Sequence, residues 1–383
     1  MMRRPLKIGI IGSRGVPATF GGVERHVEEV GARLAERGHT VVVFCRSNYV
    51  EKGLKEYRGM KLCRLPTVGT KRLDALVHSG ISTFAAIFQR GYDILHYHAI
   101  GPSIWTPFPK VLSRAGIVQT IHGLDHLRAK WNRFEKTALK FSAWVSAKVV
   151  DEIVTVAQYL ADHYEKTYQR KAVYIPNGIN PRPRLQPKEI AERYGLKGKD
   201  YILFVGRLVP EKAPDLLVRA FRHLDGDLRL VIAGGSSFTD DYVKNLHELA
   251  SKDSRVIMAG YVYGDLLDEL YTNAAFFVLP SSLEGLPITL LEAASYGVPI
   301  IASDIEPHEE VLKTSAPGRR LVKTGSEESL LTTMQAAICN LAEEQRGAEL
   351  LRKEILDHYS WDKTVDALEN CYYELLAKKK RMR

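Results

Sequence analysis

Short apolar runs alternate with segments of helical period along the whole chain. KIGIIGS (7–13) is an apolar run of strand length, and after it Val23, Val27, Val30 and Leu34 recur at i, i+4, i+7 and i+11 before Gly38 ends the pattern. The spacing predicts a strand, a glycine-containing loop and a helix. TVVVFCR (40–46), DILHYHA (93–99), GIVQTIH (116–122), EIVTVA (152–157) and VYIPNGI (173–179) continue as strands. The alternation restarts at YILFVGR (201–207) and runs through LRLVIAGG (228–235), VIMAGYV (256–262), AFFVLP (275–280), VPIIAS (298–303) and RRLVKTG (319–325). Helices are expected after Pro214, near 241–251, near 264–273, and from Pro287 to a stop at Gly297.

Such alternation implies parallel sheets covered by helices on both faces, so the fold class is α/β with two doubly wound, Rossmann-like domains. Open sheets of this kind bind ligands beyond the carboxyl ends of their strands, and two of them facing each other place the expected site in a cleft between them. PNGI with INPRPR (176–184) is rich in turn formers and serves as the linker. The expected division is 1–177, 178–355, and a helical segment 356–383 that crosses back to the first domain and ends in a basic tail.

A chain of 383 residues is long for one core and comfortable for two. No apolar run approaches the roughly 20 residues that span a bilayer, and the start has too short an apolar segment for a signal peptide, so a cytoplasmic protein is expected. Cys45, Cys63, Cys339 and Cys371 are far apart with no CxxC pair, which suits a reducing compartment and argues against structural zinc. The net charge of +9 calls for an anionic partner: nucleic acid, a membrane surface or a phosphorylated substrate. With no zinc-finger spacing and no RNP-type aromatic strand, nucleic acid is not expected.

Two carboxylates, Glu284 and Glu292, interrupt the apolar run from 280 to 297, and each must reach water or a partner. Glu284 falls in the loop after AFFVLP and Glu292 about two turns into the helix that follows. Gly285 to Ile288 open that helix, where free N–H groups favour an anion. Arg207 and Lys212, just beyond YILFVG, could neutralise a diphosphate, and His122 stands at the end of GIVQTI. The loop from Gly9 to Gly15 reads GxxGxxG rather than GxGxxG, and the next strand ends in Arg46, which leaves NADP-dependent oxidation open as an alternative.

GR-x4-K at 206–212 followed by E-x7-E at 284–292 resembles the retaining nucleotide-sugar glycosyltransferases of family 4, with the GT-B fold. GGVERH (21–26), IHGLD (121–125), PNGI, AGG and GYV stand in that family's order, and the opening also resembles bacterial polysaccharide and lipopolysaccharide enzymes, rhamnosyltransferases among them. Ala213-Pro214 and Leu286 depart from the family pattern and leave its charged groups in place. The resemblance implies transfer of a sugar from a nucleotide-diphosphate-sugar to a glycan or lipid-linked acceptor with retained configuration, no cofactor and no metal. It assigns the leaving diphosphate to Arg207 and Lys212, the sugar to His122 and Glu284, and the ribose to Glu292. Gly285, Leu286 and Ile288 would meet the donor at the helix start, Tyr261 and Val262 would border the base, and Gly21 and Gly22 would let the backbone approach the diphosphate. A non-catalytic sugar-nucleotide-binding protein is the other reading.

Residues 127–148 carry Arg128, Lys130, Arg133, Lys136, Lys140 and Lys148 against one acid, Glu135, and Trp131, Phe134, Ala138, Phe141 and Val145 recur with helical spacing. With Arg3, Arg4 and the tail KKKRMR, this pattern predicts peripheral contact with an anionic membrane; a core helix with a solvated cationic side is the alternative.

Overall fold

The computed structural model describes residues 4–19, 21–68, 73–128, 131–236 and 239–381, and divides into two compact units, 1–178 with 361–383, and 179–360. The boundaries differ slightly from those expected from turn composition. Asn177 is bound to His26 in the first unit, whereas the Ile179 N–H donates to the Tyr359 carbonyl and so holds 356–360 in the second.

The first unit contains β1 (Lys7–Ile11), α1 (Gly22–Glu36), β2 (Thr40–Arg46), β3 (Glu56–Tyr57), β4 (Met60–Leu65), α2 (Asp74–Gln89), β5 (Ile94–His98), α3 (Pro107–Leu112), β6 (Gly116–Ile121), α4 (Arg133–Val149), β7 (Glu152–Thr155), α5 (Gln158–Tyr168) and β8 (Val173–Tyr174). Its sheet runs β3-β4-β2-β1-β5-β6-β7-β8 and is parallel except for the β3–β4 hairpin. β4 and α2 escape the sequence pattern. MKLCRL is only half-buried, and α2 holds Gly80 because a Cβ there would lie 2.8 Å from the Trp105 ring.

The second unit contains α6 (Glu189–Tyr194), β9 (Tyr201–Val205), α7 (Pro214–Arg222), β10 (Arg229–Ala233), α8 (Asp240–Ala250), β11 (Val256–Gly260), α9 (Gly264–Asn273), β12 (Phe276–Leu279), α10 (Ile288–Tyr296), β13 (Ile300–Ser303), α11 (Glu306–Leu312), β14 (Arg319–Val322), α12 (Glu327–Cys339) and α13 (Leu341–His358). The six parallel strands run β11-β10-β9-β12-β13-β14, so the chain starts in the middle, winds one way and then the other. α10 starts one residue later than expected, with Pro287 in an extended conformation at the N-cap, and Glu292 is little more than one turn in.

α14 (Trp361–Arg381) belongs to the first unit, where Trp361, Val365, Leu368 and Tyr372 join its core and Arg33 binds Asp362 at 3.0 Å. In α4 the apolar stripe differs from the expected one. Val145 is buried and Trp131 half-buried, while Trp144 is exposed beside Phe141, because the small residues Ser142, Ala143, Ser146 and Ala147 face inward and rotate the aromatic rings out. Lys130, Arg3 and the last two residues of the basic tail lie outside the described residues.

Candidate functional site

In the second unit the sequence-predicted residues collect at the carboxyl edge of the sheet. Arg207 and Lys212 follow β9, Tyr261 and Val262 follow β11, and Glu284, Gly285 and Leu286 follow β12, with Ile288 and Glu292 on α10. β9 and β12 are neighbours where the winding reverses, the place where open sheets leave a crevice. Across it the Lys212 ammonium meets Glu284 Oε1 at 2.6 Å, with both side chains about nine-tenths buried. The Ser281 hydroxyl donates to the same oxygen at 2.8 Å. Burial alone would raise the Glu284 carboxyl, but the charge of Lys212 and the hydrogen bonds from Lys212 and Ser281 hold it below its ordinary value. It is therefore an anion at neutral pH.

His308 of α11 lies beside this pair and had no signal in the sequence, being one histidine in a short helix. Its Nδ1 donates to the Ser303 carbonyl at 2.9 Å, and Nε2 is buried with no hydrogen-bond partner among the described residues. Burial, with Lys212 adding, pushes the ring down to about 4 against the opposing pull of Glu284, so it is neutral. Glu292 accepts from the Tyr271 hydroxyl at 3.2 Å, and Tyr271 stacks on Tyr296. Tyr261 is half-exposed, stacks with Tyr263, and donates its hydroxyl to the Ser236 carbonyl at 2.8 Å.

In the first unit the switch point lies between β1 and β5. Gly21 caps α1 at φ 101°, a left-handed conformation suited to glycine, and Gly22 begins the helix. His122, just past β6, is joined by two further histidines, His98 and His26, that are not among the candidate site residues of the sequence. His98, the last residue of β5, places Nδ1 3.0 Å from His122 Nε2, and His26 of α1 sets its ring edge-on to His122 with centroids 4.9 Å apart. His26 Nδ1 is bound to Asn177 Oδ1 at 2.7 Å. Their signals were GGVERH, which contains His26, and HYH at 96–98, whose period of two puts both histidines on one face of β5. Behind them His96 bonds Tyr372 of α14 and Thr120 of β6, each at 2.7 Å.

Burial first, and repulsion between neighbouring imidazoles second, lowers His98 and His122 well below the ordinary histidine value. Burial lowers His26 to about 4 and His96 to about 3. The cluster is thus neutral, and His122 presents an imidazole rather than a cation. Ligand atoms of His26, His98 and His122 lie within 4.8 Å of one another, the one grouping among the described residues with the reach to hold a metal ion. Arg46, which kept an NADP reading open, gives its guanidinium to Asp74 at 2.7 Å.

Residues 20–182 match the family described as Glycosyltransferase Family 4, and residues 187–347 match Glycosyl transferases group 1. An uncharacterized glycosyltransferase of Methanocaldococcus jannaschii is 26% identical, over 96% of this chain and 98% of its own. The UDP-Gal:alpha-D-GlcNAc-diphosphoundecaprenol alpha-1,3-galactosyltransferase of Escherichia coli is 23% identical over 87% of both. Among solved structures, sucrose-phosphate synthase from Thermosynechococcus elongatus superposes with a TM-score of 0.86 at 19% identity, covering 98% of this chain and 100% of that one.

Proposed function

Starting from a chain that is a GT-B glycosyltransferase of the family-4 type, we propose that it moves a sugar from a nucleotide-diphosphate-sugar to a glycan or lipid-linked acceptor in cell-surface polysaccharide synthesis, with retention at the anomeric carbon. The observation that carries the reading is the Lys212–Glu284 pair across the switch point of the second sheet. Breaking the anomeric C–O bond builds negative charge on the leaving diphosphate and positive charge on the sugar ring. An ammonium has three donors, of which Glu284 occupies one, so Lys212 and Arg207 can receive the leaving phosphate. A fixed donor aimed at developing charge is worth on the order of 3 kcal/mol. Glu284, held ionised, accepts hydroxyls of the transferred sugar, and Glu292 those of the ribose. Leu286 and Ile288 offer N–H groups at the start of α10, Tyr261 and Val262 flank the base, and Gly21 and Gly22 leave room for the diphosphate. His122, neutral and oriented by His98, binds the sugar by hydrogen bond. The departing phosphate itself takes the acceptor's proton on the face it leaves. The lipid-linked acceptor is supported by the name of the Escherichia coli relative.

The test is a melting screen with UDP, GDP, dTDP and NADP, since a ligand that binds only the folded chain raises its Tm by mass action. One nucleoside diphosphate is expected to stabilise the protein and NADP to leave it unchanged. With the matching sugar donor, Glu292→Ala should raise KM with kcat little changed. Stabilisation by NADP alone, or an unmoved KM, refutes the donor assignment.

A further inference from the structure

The outward side of α4 does not have the composition of a solvated helix face. Ser142, Val145 and Ser146 point into the first unit, whereas Arg133, Phe134, Lys140, Phe141, Trp144 and Lys148 are all exposed, and no exposed residue of the helix is acidic. Phe134 is 81% exposed, Phe141 53% and Trp144 49%. The only acid of the helix, Glu135, is half-buried and occupied in a capping box with Asn132, each of its two hydrogen bonds being 2.9 Å. Helix α3 packs against α4 and adds Val111, 82% exposed, and Leu112, 59% exposed, next to exposed Arg114. Among the described residues, Arg133, Lys140 and Lys148 take part in no ion pair. Large apolar side chains collected on one face mark an interaction surface, and cations interleaved with aromatic rings narrow the partner.

We propose that the α3–α4 face docks on the surface of an anionic lipid bilayer, with Phe134, Phe141, Trp144, Val111 and Leu112 entering the headgroup boundary while Arg133, Lys140 and Lys148 meet lipid phosphates. Aromatic rings suit that boundary, where one end of the ring is apolar and the other wet. Contact is peripheral, because no helix of the described residues is long and apolar enough to cross a membrane. A second copy of the chain is a poorer occupant. A two-fold contact would bring each of these cations against its like with no carboxylate on the face to relieve them. Nucleic acid would use the cations but not Val111 and Leu112. The proposal stands apart from the sugar-transfer reading and is tested without measuring transfer.

The full chain is incubated at low salt with vesicles of equimolar phosphatidylcholine and phosphatidylglycerol, and with phosphatidylcholine alone, then floated on a density gradient. Binding to the anionic vesicles and its loss in high salt are expected. At about 1 kcal/mol per basic residue near an anionic leaflet, reversing Arg133, Lys140 and Lys148 to glutamate should weaken partition on the order of a hundredfold. Replacing Phe134, Phe141 and Trp144 together by serine should also abolish flotation, with the melting temperature held because all three are outside the core. Wild-type protein that stays at the bottom of the gradient overturns the proposal. So does equal binding to both vesicle types, or flotation that survives both sets of substitutions. A concentration-dependent dimer that the serine variant dissolves, without lipid binding, assigns the face to a second copy instead.

Discussion

Replacing Lys212 by methionine keeps the length of the side chain and removes its charge, leaving Glu284 nearly buried with its cation gone. At 2.6 Å and an effective dielectric near 20, the lost attraction is about 6 kcal/mol, most of it offset in the wild type by the cost of desolvating both ions. The net effect of removing one partner from such a pair is about 3–5 kcal/mol of destabilisation, because a buried charge is left uncompensated. For a unit the size of residues 179–360, each kcal/mol shifts Tm by about 2–4 °C, so the expected fall is about 6–20 °C. Glu284→Gln should fall in the same direction, since it strands the ammonium. The double variant Lys212→Met with Glu284→Gln should recover most of the stability but no transfer activity. The pH dependence has a definite sign. In the wild type the Glu284 carboxyl lies below its unfolded value near 4.3, so its contribution is present above that pH and lost as pH falls through the folded value. Without Lys212 the carboxyl rises above its unfolded value, so the variant's deficit should shrink as pH is lowered from 8 toward 5. Calorimetry separates the units, because all four tryptophans, Trp105, Trp131, Trp144 and Trp361, belong to the first; a transition silent in tryptophan fluorescence is that of the second. A Lys212→Met protein melting within 2 °C of wild type at pH 8, or a double variant no more stable than either single one, would refute the reasoning.

The first unit should lose stability in mild acid. His26 and His96 are held near 4 and 3 against about 6.5 unfolded, so the unfolded chain binds more protons between those values, and stability complete above 6.5 falls by up to about 1.4 kcal/mol per pH unit for each ring. Tryptophan-detected melting at pH 7.5, 6.5 and 5.5 checks this, and a flat profile refutes it. Deleting residues 361–383 removes Trp361, Val365, Leu368, Tyr372 and Leu375 from the core of the first unit, about 8–15 kcal/mol at roughly 1.5–3 kcal/mol each. The fluorescence transition should vanish while the second unit's calorimetric transition persists; retention of both would show α14 to be dispensable.

What the sequence determined by itself was local. Apolar runs such as YILFV, buried at four of its five residues, and helical-period segments such as Val23 to Leu34 mark strands and helices from the chain alone, and that pattern survives without knowledge of neighbours. It also put Arg207, Lys212, Glu284 and His122 just past the ends of strands, because a strand end and the loop after it are adjacent in the chain. Tertiary structure decided what those residues meet. Lys212 and Glu284 are 72 positions apart and touch only because β9 and β12 are neighbours in a sheet that begins in its middle. His26, His98 and His122 form a cluster because β5 joins β1 to β6, and α14 completes a core begun far away in the chain. On α4 the spacing showed that apolar and basic residues share a helix but not which side faces out. The small residues Ser142, Ala143, Ser146 and Ala147 allow close packing on one side, and that contact turned Val145 inward and left Trp144 in the open. Strand order and helix rotation are contacts between distant residues, and one sequence read along its length carries no direct record of them.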